Sequence, residues 1–215
     1  MVTKTIAISG GSITLWIGGL QMRFFARFSA IGIKAAAVGV LMLSQTGAPV
    51  AGSAIYDVVS EPTLRAGTPI PAPAGEVVLR VRGMIHAASG ADEIAFDMPT
   101  LERLGLVRFT TTTSWTEGPV TFEGVLLSSL LEAVGADPSA TTLVLTALND
   151  YAASIPASDA KTWPVMLAVK ENGQYMSPRE HGPMWVVYPQ HAFPELGRRD
   201  FLSRWVWQLA QITVE

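Results

Sequence analysis

Short runs of β-branched and aromatic residues, separated by glycine, proline or asparagine, constrain the fold of this chain more than any other feature. Residues 77–82 alternate between an apolar set, Val77, Leu79 and Val81, and a set that includes two arginines. This period of two is typical of a strand with one buried face. Similar composition predicts strands at residues 106–112, 141–148, 164–170, 184–188 and 205–214, with a hairpin turn at Asn172 and Gly173.

Two helices are predicted between these strands. Asp97 and Pro99 open a short one, and Gly105 closes it. The second is clearer, because apolar residues recur at i, i+3, i+4 and i+7 before a glycine. These residues are Leu127, Leu130, Leu131 and Val134, followed by Gly135. The pattern as a whole predicts an α+β fold that is mixed and mainly β, in a single domain.

The N-terminal segment has the features of a secretory signal peptide. Arg23, Arg27 and Lys34 precede an apolar run at residues 35–43, and small residues at 52–54 are suitable for cleavage. The run is short for a spanning helix, which needs about 20 residues, although a retained anchor is the alternative. We therefore expect a signal peptide within residues 1–54. Met22 opens a more typical signal peptide than Met1, which predicts that the physiological start lies there.

The route of export limits how a ligand can be acquired. No arginine pair precedes the apolar run, which favours the general secretory route and a periplasmic location over twin-arginine export. A chain that crosses the membrane unfolded captures its ligand only afterwards. We expect a proline-rich and glycine-rich lead-in at residues 55–75, a folded domain at 76–215, and no insertion of the mature protein into the membrane.

Charge and cysteine content exclude several classes of partner. Residues 1–54 hold four of the 15 basic residues and none of the 18 acidic ones, so residues 55–215 carry a net charge of −7. Nucleic acid is therefore not expected as a partner. The chain has no cysteine and only three histidines, in no metal-ligand spacing, so no metal site is predicted.

Several motifs occur in an order that resembles a known family. They are the strand ending at residues 110–115, TFEGV at 121–125, Asn149 to Tyr151, the segment 172–189 with HGPMWVVYP, and SRWVWQL at 203–209. Residues 76–215 thereby resemble the sulfite-oxidase-type molybdopterin-binding fold. In that family, the segment corresponding to residues 110–114 carries the molybdenum-ligating cysteine, and an arginine is usual where Trp185 stands. Here Thr111 stands at the cysteine position, and its hydroxyl does not replace a thiolate.

The two departures together resemble PruR-type periplasmic pterin-binding proteins. That resemblance implies a non-catalytic protein that binds a neopterin-type pterin, oxidised or reduced, without molybdenum. It also implies a partner, the periplasmic region of a membrane-bound diguanylate cyclase and phosphodiesterase that controls cyclic di-GMP and biofilm formation. The alternative is a molybdopterin-dependent oxidoreductase with unusual metal ligation.

A pterin needs a carboxylate for its amino edge and aromatic rings for its faces. Asp150 is the candidate for the edge, and its alternative role is to cap a turn. Trp185, Trp115 and Tyr188 are the candidates for stacking, although a tryptophan in a strand is commonly core. Further candidates for ligand contact are Ser114, Arg179, His181 and Arg204, each with an ordinary structural alternative. Trp205 and Trp207 are expected in the core.

Overall fold

The computed structural model describes residues 5–9, 12–17, 20–25, 55–88 and 90–215. The chain divides into two compact units, Met1–Pro49 and Val50–Glu215. In the first unit, an antiparallel sheet has the order β1-β2-β3 and consists of β1 (Thr5–Ser9), β2 (Ser12–Ile17) and β3 (Leu20–Phe25). The rest of the predicted signal segment, including its apolar run, lies outside the described residues.

The second unit contains two sheets. Its strands in chain order are β4 (Asp57–Ser60), β5 (Val77–Gly83), β6 (Glu93–Asp97), β7 (Leu106–Thr112), β8 (Pro119–Leu126), β9 (Thr142–Ala147), β10 (Ala152–Pro156), β11 (Met166–Glu171), β12 (Gln174–Tyr175), β13 (Trp185–Val187) and β14 (Leu209–Val214). One sheet has the order β10-β9-β14-β5-β6. The other has the order β12-β11-β8-β7-β4, and β13 also pairs with β11. Only β14 and β5 run parallel among the pairs of this unit.

Short helices connect the strands. They are α1 (Met98–Glu102), α2 (Leu127–Ala133), α3 (Asp159–Thr162) and α4 (Arg199–Leu202), with a 3₁₀ helix at Pro194–Gly197. Asp97 caps α1 by accepting the Thr100 N–H at 3.0 Å, as its position before Pro99 predicts. Leu127 and Leu130 of α2 are buried, and Gly135 follows the helix at φ +64°. The predicted α+β, mainly β fold and both predicted helices are confirmed.

One hydrophobic core joins the two sheets. Leu79 and Phe96 from the first sheet and Phe122 and Leu167 from the second are fully buried in the same cluster. Burying a large apolar side chain contributes roughly 1.5–3 kcal/mol, so these alternating inward positions are the main stabilising feature of a domain without disulfides. The alternation also leaves the strand ends and their loops free to carry polar and aromatic groups.

The predicted turn at Asn172 and Gly173 is confirmed, with φ values of +50° and +81°. The strand that follows it differs from the prediction. Residues 174–175 pair with the end of β11, whereas Trp185 to Val187 pair with its beginning, along the same edge. Residues 176–184 leave the sheet between these two pairings and carry Arg179 and His181.

The predicted strand at residues 205–214 is too long. Regular pairing begins only at Leu209, because Gln208 adopts φ +54° and redirects the chain. Before this point, Val206 O accepts the Val186 N–H at 2.8 Å, and Trp207 forms an isolated bridge with Trp185. The segment 205–208 therefore pairs with the second sheet and the following residues with the first.

The lead-in lies against the folded domain. Asp57–Ser60 form β4, an exposed edge strand that pairs with β7, and Leu64 is buried. The Asp97 carboxylate accepts the N–H groups of Ala74 and Gly75 at 2.8 and 3.0 Å. Within the described residues, no helix is long and apolar enough to span a membrane.

Candidate functional site

Four tryptophans and a histidine form one aromatic cluster. The Trp115 ring centroid lies 6.1 Å from that of Trp185 and 5.8 Å from that of Trp205. It lies 5.5 Å from the Trp207 centroid in an edge-to-face arrangement. His181 stacks on Trp185 at 4.2 Å with an interplanar angle of 26°. These distances are near the roughly 4.5–7 Å at which aromatic pairs attract one another beyond simple burial.

Three separate parts of the chain supply the cluster. Trp115 follows the end of β7 in a turn where its N–H donates to Thr113 Oγ1 at 3.1 Å. Trp185 begins β13, and Trp207 lies opposite it where the chain crosses between the sheets. Trp185 is fully buried, whereas Trp115 is 37% exposed. The cluster therefore reaches from the core to the surface.

A cavity of about 240 Å³ opens beside this cluster. It is lined by Trp115, Ala147, Asn149, Tyr151, Leu202, Ser203, Trp205, Val206 and Trp207. No acidic or basic side chain belongs to this lining. The surface therefore offers flat aromatic faces with one amide, one hydroxyl and one phenol. Such a lining suits an uncharged planar ring better than a phosphate or a metal ion.

Three buried side-chain nitrogens near the cavity have no hydrogen-bond partner among the described residues. They are Nε1 of Trp185, Nε1 of Trp205 and Nδ1 of His181. His181 Nδ1 lies 3.8 Å from a Glu171 carboxylate oxygen, which is too far for a hydrogen bond. A buried donor without an acceptor costs about 1–3 kcal/mol. Of the three residues, only Trp205 belongs to the cavity lining.

Three of the residues predicted to contact the ligand are exposed at the surface and do not line the cavity. Asp150 is exposed in the β9–β10 turn at φ +63°, and its N–H donates to Ala147 O at 3.1 Å. Both of its neighbours line the cavity, but Asp150 does not. Ser114 is exposed next to Trp115, and Arg179 is exposed in the excursion at residues 176–184.

Two other candidates point to an acid that the sequence analysis missed. Tyr188 is fully buried, and its hydroxyl donates to Asp159 Oδ2 at 2.8 Å. Arg204 Nη1 donates to the same oxygen at 2.7 Å. Burial and the Asp159 charge raise the pKa of Tyr188 far above its usual range. No local sequence pattern marks Asp159 as a ligand-binding or anchoring residue.

The cavity also contains residues that the sequence analysis did not select. Asn149 and Tyr151 belong to a motif that was recognised, although only Asp150 between them was chosen. Trp205 is buried as expected and Trp207 is half-buried, and both also line the cavity. Trp205 and Trp207 are two residues apart in a predicted strand, which places them on one face. This spacing is the sequence feature that could have indicated their shared position at the cavity. A larger cavity of about 540 Å³ lies against α2 and α3 and contains none of the predicted ligand residues.

The position that the resemblance assigns to the family's metal-binding cysteine is occupied by a hydroxyl that already has partners. Thr111 is 1% exposed, and its Oγ1 accepts the His191 N–H at 3.1 Å. The same hydroxyl donates to Thr112 O at 3.4 Å. Within the described residues, no group of three or more histidine, cysteine, aspartate or glutamate side chains is arranged to hold a metal ion. These residues do not fit a molybdenum centre with a protein thiolate.

The comparisons with known proteins identify the fold. Residues 94–196 match the family model described as the oxidoreductase molybdopterin binding domain. Residues 94–196 therefore have the sulfite-oxidase-type molybdopterin-binding fold. No curated protein matches the chain. The sulfane dehydrogenase SoxCD from Paracoccus pantotrophus is similar with 20% identity and a TM-score of 0.48, over 63% of this chain and 37% of that one.

The sulfite-oxidase-type resemblance and the fold class are thus confirmed at the level of the family. The absence of cysteine holds for the whole sequence, so this member lacks the residue from which the family's metal ligand comes. The chain spans little more than a third of the SoxCD chain, 37% of its length. The family assignment alone therefore leaves the activity open.

Proposed function

We propose that this protein is a non-catalytic pterin-binding protein of the PruR type. The observation that carries the proposal is the cavity beside Trp115, Trp205 and Trp207, which offers indole faces and no charged side chain. Trp205 lines the cavity, and its buried Nε1 has no partner among the described residues, so we assign it as the donor to a ring nitrogen or carbonyl. Stacking of a planar heterocycle on an aromatic side chain contributes roughly 1–3 kcal/mol per ring by analogy with nucleic-acid bases.

The size of the cavity favours a small bicyclic ring. Its volume of about 240 Å³ is below the roughly 300–1,000 Å³ of typical cofactor sites. A pterin ring with a short hydroxylated side chain is compatible with this space, whereas a phosphorylated or dinucleotide form would place negative charge where the lining has no cation. Neopterin-type compounds therefore suit the cavity better than the complete molybdenum cofactor.

We assign the polar edge of the ligand to the turn that carries Asp150. Asp150 is exposed and outside the cavity lining, but its sequence neighbours Asn149 and Tyr151 both line the cavity. A ligand that extends past these two residues could present its amino group and adjacent ring N–H to the Asp150 carboxylate. Ser114 is exposed and directly precedes the cavity residue Trp115, and His181 stacks on Trp185. In this arrangement, Arg179 would contact only a ligand that extends toward residues 176–184.

The missing thiolate supports a metal-free ligand. Cysteine binds a transition metal as the thiolate, and a threonine hydroxyl has no comparable anionic form near neutral pH. The Thr111 hydroxyl is moreover occupied by the His191 N–H. Since the sequence has no cysteine elsewhere, no other side chain of that type can take over.

The ligand test is a titration of the purified, ligand-stripped protein with neopterin, followed by tryptophan fluorescence. Because Trp115, Trp205 and Trp207 line the cavity, we expect saturable quenching with one site per chain. A protein that neither retains a pterin on purification nor responds to neopterin would contradict the proposal. Stoichiometric molybdenum together with oxidation or reduction of a small substrate would instead support the oxidoreductase alternative.

We further propose that the protein is exported by the general secretory route and reports pterin status to the periplasmic region of a membrane-bound diguanylate cyclase and phosphodiesterase. Trp115 and Tyr151 support a relay, since they line the cavity and are also 37% and 49% exposed. A relay requires that the partner binds the liganded and empty forms with different free energies. Residues that touch both the ligand and the surface can supply that difference.

The location and the partner have their own test. Cell fractionation should place the processed protein in the periplasm, and affinity purification with and without neopterin should recover a cyclic di-GMP enzyme in a ligand-dependent amount. Retention of the protein in the cytoplasm, or partner recovery that does not change with the pterin, would contradict this part of the proposal. The titration above is independent of either outcome.

A further inference from the structure

Asp159 is a buried carboxylate that no ligand-binding prediction includes. Its side chain is 4% exposed, and its Oδ2 accepts both the Tyr188 hydroxyl at 2.8 Å and Arg204 Nη1 at 2.7 Å. A buried charge is costly unless it is paired and hydrogen-bonded, and here a single oxygen has both kinds of partner. The bonds join three elements, because Asp159 begins α3, Tyr188 follows β13 and Arg204 follows α4.

Aromatic contacts surround this pair of bonds. The guanidinium carbon of Arg204 lies 4.3 Å from the Phe201 ring centroid. Trp163 meets the Phe201 ring edge-to-face at 5.5 Å and the Tyr188 ring at 6.3 Å. The Arg204 side chain is consequently held on two sides, by the carboxylate and by a ring, and is 21% exposed. It is not available as a free cation for a ligand.

The residues next to Arg204 form the cavity wall. Leu202, Ser203, Trp205, Val206 and Trp207 line the cavity, whereas Arg204 itself does not. Regular strand structure begins only at Leu209, and the backbone of the wall is held by a 3.3 Å bond from Trp205 N to Leu202 O and by the Val186 to Val206 bond. Within the part of the chain that the structure describes, the Asp159 bond is the one ion pair of residues 202–207.

We infer that Asp159 is a positioning residue for the tryptophan cavity, which holds residues 202–207 in place through Arg204 and Tyr188. The inference rests on the proposed function in that the cavity is taken as the ligand site. It reassigns Arg204 and Tyr188 from ligand contacts to members of an anchor. The desolvation penalty of a buried ion pair offsets much of its attraction, so we expect the main effect of this pair on the geometry of the wall and a smaller one on stability.

A double-mutant cycle on the full chain tests the anchor with neopterin as the probe. Asp159→Asn and Arg204→Met should each weaken neopterin binding about tenfold or more, and the double variant should be no weaker than the worse single one. Asp200→Asn is the control, because Asp200 of α4 forms an exposed ion pair with Arg198 and does not line the cavity. Its affinity should equal that of the wild type. Should Arg204→Met weaken binding while Asp159→Asn does not, Arg204 contacts the ligand directly and the inference is overturned.

A second readout does not depend on the ligand. Hydrogen exchange at the amides of residues 203–207 should become faster in Asp159→Asn and in the milder Tyr188→Phe, while α2 and β11 keep wild-type protection. Unchanged exchange at these amides in both variants would overturn the anchor even if neopterin binds. If the wild type binds no neopterin but exchange rises locally, the anchor stands and the proposed function fails.

Discussion

At the scale of single residues, the buried and the exposed side chains of the aromatic cluster have different roles. Trp185 is fully enclosed and supports His181 and Trp115, whereas Trp115 itself reaches the surface. A substitution in the core would remove packing and binding together. A substitution of a partly exposed ring in the cavity lining can separate the effect on binding from the effect on stability.

Trp115→Leu should therefore weaken neopterin binding by about tenfold, since the loss of one stacking ring costs roughly 1–3 kcal/mol. The unfolding midpoint should fall less than for a substitution of the fully buried Trp185, because Trp115 is 37% exposed. The measurement is the fluorescence titration combined with denaturant unfolding. Tyr175→Leu is the matched control, as Tyr175 is 55% exposed on β12 and outside the cavity, and it should keep wild-type affinity. Equal affinities for all three proteins would exclude Trp115 from the site.

Thr111 has a structural role, because its hydroxyl accepts the His191 N–H. Thr111→Val should lower the free energy of unfolding by about 1–3 kcal/mol, because the His191 N–H loses its acceptor. Thr111→Ser keeps the hydroxyl and should lose less of that stability. Denaturant unfolding measures both, and equal stabilities for Val and Ser would show that the hydrogen bond contributes nothing.

Asp97 links stability to pH. The Thr100 side chain, followed by the Gly75 and Thr100 N–H groups, lowers the Asp97 pKa from 3.8 to about 2. Because the folded pKa is depressed, the stabilisation is present above pH 3.8 and is lost as the pH falls toward 2. Asp97→Asn should be less stable than the wild type at neutral pH and should lose less stability across that interval. Parallel pH profiles would contradict this account.

At the scale of elements, two glycines mark places where backbones approach closely. A Cβ on Gly124 of β8 would overlap the Leu167 carbonyl oxygen of β11, and one on Gly182 would overlap the Met176 carbonyl oxygen. The first contact joins two central strands. The second contact brings together the two ends of the segment 176–184, which leaves the sheet. Close packing therefore explains why a glycine stands in the HGP motif.

Gly182→Ala should disturb the excursion without unfolding the domain. Its clash is with the backbone of Met176, outside regular strands, while Gly124→Ala would separate β8 from β11. We expect a loss of about 1–3 kcal/mol for Gly182→Ala and a larger loss for Gly124→Ala, as for other overpacking substitutions. Thermal unfolding measures the order. Gly67→Ser is a control because nothing lies near its Cβ position, although its φ of +75° adds local strain.

Elements with a strong local pattern could be predicted, and those defined by distant partners could not. The Leu127 helix and the strand Leu106–Thr112 follow from periodicity and composition. The short strands β6 and β10 depend on neighbours in the sheet, so composition alone did not reveal them. The division between β12 and β13, which pair with different parts of β11, depends on a strand distant in sequence, and so does the crossing between sheets at Gln208. No local pattern encodes either feature. For the same reason the residue types of the site were predictable, but the partners of Tyr188 and Arg204 were not.

At the scale of the whole molecule, the two sheets share a core, and the segment that crosses between them carries the cavity wall. Residues 205–208 pair with one sheet, and β14 pairs with the other. A change in the position of the cavity wall therefore affects both sheets. The exposed rings of Trp115 and Tyr151 bring the same cavity to the surface. A ligand that fixes these rings can alter the surface that a partner meets.

The most direct test is to purify the protein from cells, denature one sample, and measure pterin fluorescence and molybdenum content together. The account predicts close to one pterin per chain and no stoichiometric molybdenum, because the fold is retained while Thr111 replaces the thiolate. Stoichiometric molybdenum, or a protein that carries no pterin and cannot be loaded with neopterin, would contradict it.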